Sequence, residues 1–204
     1  MRNLRTPVLV GFLAVAFSLA PGQDQDYSSC VVHPNQEISV QNLHLRTAAS
    51  DSSTAALVAS LETVLDNPQL CCGKASAFSE IPDLAGHPSL EDIGARLNGK
   101  HVLGDGSPVI VDSEYISSSS ITSYQLVALL KKNQPLLMQW NSHVFVLEGL
   151  TTDEKICSDG RHEYVIRKLL LLDPSSASAS HTSVFDRSKD NWSDVEGFLL
   201  LKTS

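Results

Sequence analysis

The order of periodic segments in this chain predicts an α+β fold, with N-terminal helices packed on a C-terminal, mainly antiparallel sheet. Three observations carry that reading. Helical spacing of apolar residues is confined to the part before Pro135. After Pro135 the apolar residues fall into short runs separated by turn residues. No regular strand–helix alternation, which a doubly wound parallel sheet requires, runs through the 204 residues.

The elements follow in order. Gln23 to Ser50 is polar apart from an alternating stretch at Ile38–Leu43, and reads as a lead-in with one edge strand. Ser52 or Ser53 can cap a helix to about Asp66, with Leu57, Leu61, Val64 and Leu65 on its apolar face and Asn67-Pro68 as its stop. Cys72 to Ile81 predicts a second, short helix ended by Pro82. Ser89-Leu90-Glu91-Asp92 predicts a capped start for a third, running to Leu97 before Asn98-Gly99. Short strands are expected at Val102-Leu103 and Val109–Val111 around the turn Gly104-Asp105-Gly106, and Ser117–Ser120 reads as a loop. Thr122–Lys132 is an amphipathic helix whose terminal lysines suit its dipole. Strands are then expected at Leu136–Trp140, His143–Leu150, Tyr164–Asp173, Ser183–Phe185 and Gly197–Lys202, with a polar hairpin loop at Asp153–Arg161 and a small-residue linker at Ser175–Ser180.

Composition narrows the function classes. Hydrophobic residues make up 42% of the chain, enough for a packed core. The net charge of −8, with no basic run longer than Lys131-Lys132, argues against a nucleic-acid partner, which needs a basic face. Arg2 and Arg5 followed by the apolar Pro7–Ala20 and the small-x-small Ser18-Leu19-Ala20 read as an export signal. The expected organisation is therefore 1–20 signal, 21–51 lead-in and 52–204 folded domain. The destination is periplasmic or extracellular, with no membrane association after cleavage, or an N-terminal anchor if the signal stays uncut. Four cysteines, Cys30, Cys71, Cys72 and Cys157, suit an oxidising compartment. Sequence leaves their pairing open: Cys30 can join Cys71 or Cys157, or Cys71 and Cys72 can form a vicinal disulfide.

Three segments carry candidate chemistry. Cys72 opens Cys72-Gly73-Lys74-Ala75-Ser76. His143 starts the apolar run to Leu147 and Gly149, and Pro135-Leu136-Leu137 and Trp140 precede it. Asp173 closes Leu169–Leu172 and is followed by Pro174. A thiol needs a base to take its proton, and an imidazole base needs a third group to hold its ring. In this order the segments resemble the papain-like bacterial cysteine peptidases, over roughly Cys71 to Ser204. The resemblance implies a papain-like architecture and hydrolysis of peptide or amide bonds in a peptide or protein substrate. Cys72 would be the nucleophile, its thiolate favoured by a helix N-terminus. His143 would act as general base and then acid, and Asp173 would orient the ring. Gly73 would admit the substrate backbone, and Trp140 would line the cleft. Gln69 and Asn141 are the amides offered for the oxyanion. No cofactor is implied. No metal is implied either, because adjacent Cys71-Cys72 lacks zinc-ligand spacing.

Two alternatives stand beside this reading. If the helix from Ser53 to Asp66 is the family's central one, its first turn holds Ser52, Ser53 and Thr54 but no cysteine, and the chain is a catalytically inactive binding module. If Cys71 and Cys72 act together, it is a thiol redox protein. The remaining histidines, His162 among them, read as surface.

Overall fold

The run Leu136-Leu137-Met138-Gln139 is buried at every position, which in a strand means that both faces are covered. It forms the middle of an antiparallel sheet in a computed structural model that describes residues 29–43, 45–48, 53–65, 89–102, 106, 108–175 and 182–203. The strands are β1 (Cys30–Ser39), β2 (Gly99–Val102), β3 (Pro108–Ser117), β4 (Leu136–Trp140), β5 (His143–Cys157), β6 (His162–Leu172), β7 (Thr182–Asp186) and β8 (Val195–Thr203). The helices are α1 (Ser53–Leu65), α2 (Leu90–Leu97) and α3 (Ser123–Lys131). The sheet runs β2-β3-β8-β4-β5-β6-β7, and β1 also pairs with β5. It joins the edge of β5 that carries β4: β4 takes residues 143–147 of β5 and β1 takes 149–157.

Period-two alternation divides the core between the two faces. Leu136, Met138, Phe145, Leu147, Phe198 and Leu200 pack with Leu126, Val127 and Leu130 of α3. Leu137, Val146, Leu199 and Leu201 pack with Leu57, Leu61 and Val64 of α1 and with Leu90, Ile93 and Leu97 of α2. The helix starts are sequence-encoded. Ser89 accepts the Asp92 N–H at the head of α2. Thr122 and Gln125 form a reciprocal capping box at the head of α3. Buried Gln139 reaches across from β4, and its Oε1 accepts the Leu90 N–H at 3.1 Å, satisfying one of the unpaired donors that begin α2.

This arrangement overturns the papain-like α+β expectation. Among the described residues strand predominates, the first element is a strand rather than a helix, and the helices occupy both faces of an open sheet. The physical reason lies in the polar stretches. The second half of β3 (Asp112–Ser117), the second half of β5 (Thr151–Cys157) and most of β1 are strand with little apolar patterning. The polar segment expected as a hairpin loop from Asp153 is strand as far as Cys157, and the turn occupies only 158–161. The expected lead-in likewise contains a ten-residue strand. The expected signal, the Cys72–Ile81 helix, the Asn67-Pro68 stop and most of the 175–180 linker lie outside the described residues.

Three strands extend beyond the two-sided core as a wing: β1, residues 149–157 of β5 and residues 162–168 of β6. Its register is adjusted by bulges, one at Glu148, one at Arg167 and one in β1 between His33 and Gln36. In the β1 bulge Asn35 takes φ 54° and its N–H is held by Asp153 Oδ1 at 3.0 Å. Gly149 is required where β1 crosses closely, since a Cβ there would come within 2.6 Å of the Ile38 carbonyl oxygen. A disulfide joins Cys30 to Cys157, directly opposite each other in the ladder, and so resolves the pairing that sequence left open. That bond is compatible with an oxidising compartment. Among the described residues no helix is long and apolar enough to cross a membrane.

Candidate functional site at the β4–β5 hairpin

Two residues connect β4 to β5, and both adopt left-handed backbone: Asn141 at φ 50° and Ser142 at φ 62°. With Trp140 paired to His143, this is the twisted two-residue turn that antiparallel hairpins favour. Asn tolerates the conformation readily and Ser does so rarely, so the turn needs outside support. It receives it from the approach to β8. The Asn141 N–H donates to the Asp194 carbonyl at 3.1 Å, and the Ser142 N–H donates to Glu196 Oε1 at 3.0 Å.

His143, the first residue of β5, is exposed, and its ring lies 6.5 Å from that of Phe145. Trp140 stands beside it, half-buried, 5.9 Å from Phe145 and edge-on to Phe185 at 5.2 Å. Phe185 continues the aromatic row to Trp192 and Phe198. The Trp140 indole Nε1 is buried and has no hydrogen-bond partner. A buried donor left unpaired costs about 1–3 kcal/mol, so this N–H is a site in want of an acceptor.

Asp173 follows the last residue of β6. The pairing Val146–Leu172, carried one residue further, sets Asp173 across from Phe145 and diagonal to His143, on the same face. Strand pairing therefore brings these two predicted residues into one neighbourhood. It does not join them. Asp173 Oδ1 accepts the Ser175 N–H at 2.9 Å and the Ser175 hydroxyl at 2.6 Å, closing an Asx-type turn. Among the described residues, no ion pair or hydrogen bond links Asp173 to His143, and neither ring nitrogen of His143 has a partner.

The other predicted site residues divide. Gln69, Cys72 and Gly73 lie outside the described residues, as does Cys71. The helices bordering their segment, α1 and α2, pack on the face of the sheet opposite α3, whereas the His143 ring lies against Phe145 on the α3 face. Trp140 and Asn141 are at the hairpin tip, where Asn141 serves the turn. Among the described residues no group of three His, Cys, Asp or Glu side chains could hold a metal ion.

A polar cluster in the wing was not expected from the sequence. Glu154 Oε1 accepts the Tyr164 hydroxyl at 2.9 Å and lies 2.9 Å from His162 Nδ1, while Lys131 Nζ donates to the Tyr164 hydroxyl at 3.2 Å. The hydrogen bond from His162, followed by those from Tyr164 and the charge of Lys131, holds the Glu154 carboxyl below its ordinary range. Lys131 also sits 5.1 Å over the Tyr164 ring. The cluster ties the end of α3 to the wing. Reading 153–161 as a loop concealed it, because only a strand pair places Glu154 next to Tyr164.

Compared with known proteins, the chain matches no family model and no curated protein.

Proposed function

We propose that this chain is an exported binding module that receives an extended peptide segment at the β4–β5 hairpin, and that it does not hydrolyse it. The observation that carries this reading is that among the described residues no hydrogen bond or ion pair joins Asp173 to His143, while Asp173 Oδ1 is held by its own turn through Ser175. An imidazole with no acid behind it is a poorly oriented base, and a thiol without a positioned base is a weak nucleophile. The same hairpin offers what recognition needs: an aromatic wall from Trp140 and Phe145 and an exposed imidazole. The apolar segment after Arg2 and Arg5 and the Cys30–Cys157 disulfide support export.

The test is covalent labelling of the full chain with a peptidyl electrophile and, separately, with iodoacetamide at pH 6. The reading expects Cys72 to react no faster than an unfolded cysteine, at a rate unaffected by His143→Ala. Labelling of Cys72 that is fast in the native chain and falls tenfold or more in His143→Ala would restore the hydrolase. In parallel, an array of extended hexapeptides should show binding that Trp140→Phe weakens.

A further inference from the structure

We infer that the Cys30–Cys157 disulfide is a redox latch on β1, and that its reduction peels the outer half of that strand from the wing while the rest of the sheet stays folded. Little side-chain burial holds the outer half of β1. Among the described residues it pairs with β5 alone, and its other edge is open. From Val31 to Glu37 every residue is exposed, and Val31 and Val32 retain 60% and 56% of their surface. Apolar anchoring starts only at Ile38 and Val40, which pack into the α3-side core. Just beyond, the Asn133 side chain accepts the Gln41 N–H and donates to the Gln41 carbonyl, fixing that end of the strand beside the start of β4. The ladder is interrupted between His33 and Gln36, so Cys30–His33 is a short paired segment separated from the anchored end by a bulge.

Such a segment buries almost no side chain to offset the entropy of ordering it. The disulfide removes that cost by tying the strand's first residue to the last residue of β5. Ser158 adds one bond at the same place, its N–H donating to the Ser29 carbonyl at 3.1 Å. With the latch open, the bulge is the natural hinge, and the β5 edge from Asp153 to Cys157 loses its cover. The chemistry requires a dithiol. One thiolate attacks the Cys30–Cys157 bond and forms a mixed disulfide with one sulfur while the other leaves as a thiolate. The second thiol of the reductant then displaces the bound cysteine. Two electrons and two protons pass to Cys30 and Cys157, and the reductant departs as its own disulfide.

Hydrogen exchange on the full chain, oxidised and in dithiothreitol, tests the latch, with Cys30→Ser/Cys157→Ser measured beside it without reductant. Both the reduced chain and the double variant should exchange at least about tenfold faster than the oxidised chain at the β1–β5 ladder amides of Val31, His33, Glu154 and Ile156. Residues 136–147 and 197–201 should stay protected. Unchanged exchange in the wing would overturn the inference. Equal loss of protection in the core, including failure of the double variant to fold, would make the bond a general staple instead of a latch. A response of the reduced chain that the double variant does not reproduce would assign the effect to Cys71 or Cys72 and would equally sink it.

Discussion

The two ends of β5 belong to different physical regimes. Residues 145–147 are buried, with α1 and α2 beneath one face and α3 on the other, and their ladder partners in β4 and β6 are leucines and a methionine. Residues 153–156 are part-exposed, and their neighbours are matched charges: Lys155 with Glu163, Arg167 with Asp153, His162 with Glu154. The first region is held by burial and close packing. The second is held by ladder bonds, one disulfide and ion pairs that individually contribute little at a surface. One strand thus runs through a core and out of it across the bulge at Glu148, and its stability is local.

The largest expected effect lies in the core. Leu137→Ala removes a fully buried side chain between β4 and the α1–α2 layer and should cost about 2–5 kcal/mol in denaturant unfolding. A loss below about 1 kcal/mol would mean that the two-sided core is misread. Gly149→Ala acts where the regimes meet, because the new Cβ would press on the Ile38 carbonyl and the Ser39 backbone. Backbone must move, so roughly 1–3 kcal/mol is expected, with exchange rising first in β1. A neutral effect would show that β1 can shift away freely.

Glu154→Gln should cost about 1 kcal/mol at pH 7, since it removes the charged acceptor shared by His162 and Tyr164. Its sign against pH follows from the lowered folded-state pKa. The stabilisation is present above the unfolded carboxyl pKa and is lost as pH falls through the folded value. The wild-type and variant stability curves should therefore converge in acid; curves that stay parallel down to pH 2 would remove Glu154 from this role. The smallest effect should be at Glu148, the bulge residue. Burial, and then the charge of Glu37, raises its carboxyl pKa, so its favourable contribution exists below the unfolded pKa and disappears as pH rises through the folded one. Glu148→Gln should stabilise slightly at pH 7, by about 0.5 kcal/mol, and not at pH 3. Destabilisation at pH 7 would mean that the carboxylate has a partner it needs.

What the sequence disclosed follows the same division. The cap at Ser89, the helix from Thr122 and the strands β4 and β8 were legible, because local side-chain bonding and apolar runs mark them. The wing was not legible, because most of its residues are polar and those it buries, such as Leu150, Thr152 and Ile166, are too few to set a hydrophobic period. Thr151–Cys157 therefore reads as loop until its pairing with β6 is known. At the site, the strand start at His143 and the aromatic at Trp140 could be read directly. The partner of Asp173 could not, since Asp-Pro-Ser specifies a turn as well as it specifies an acid, and only geometry shows that Ser175 takes the carboxylate. Glu154 and His162 escaped notice because their contact depends on register alone.

The placement of β1 has a consequence for how the molecule is made. Cys30 and its partner Cys157 are 127 residues apart, so this early strand emerges long before the edge that will receive it exists. Pairing over such distances is slow, and through that interval Val31 and Val32 belong to an open edge in search of a neighbour. The proline and the left-handed Asn35 in its middle spoil that edge for strangers. The irregularity that weakens the finished wing thus guards the nascent chain.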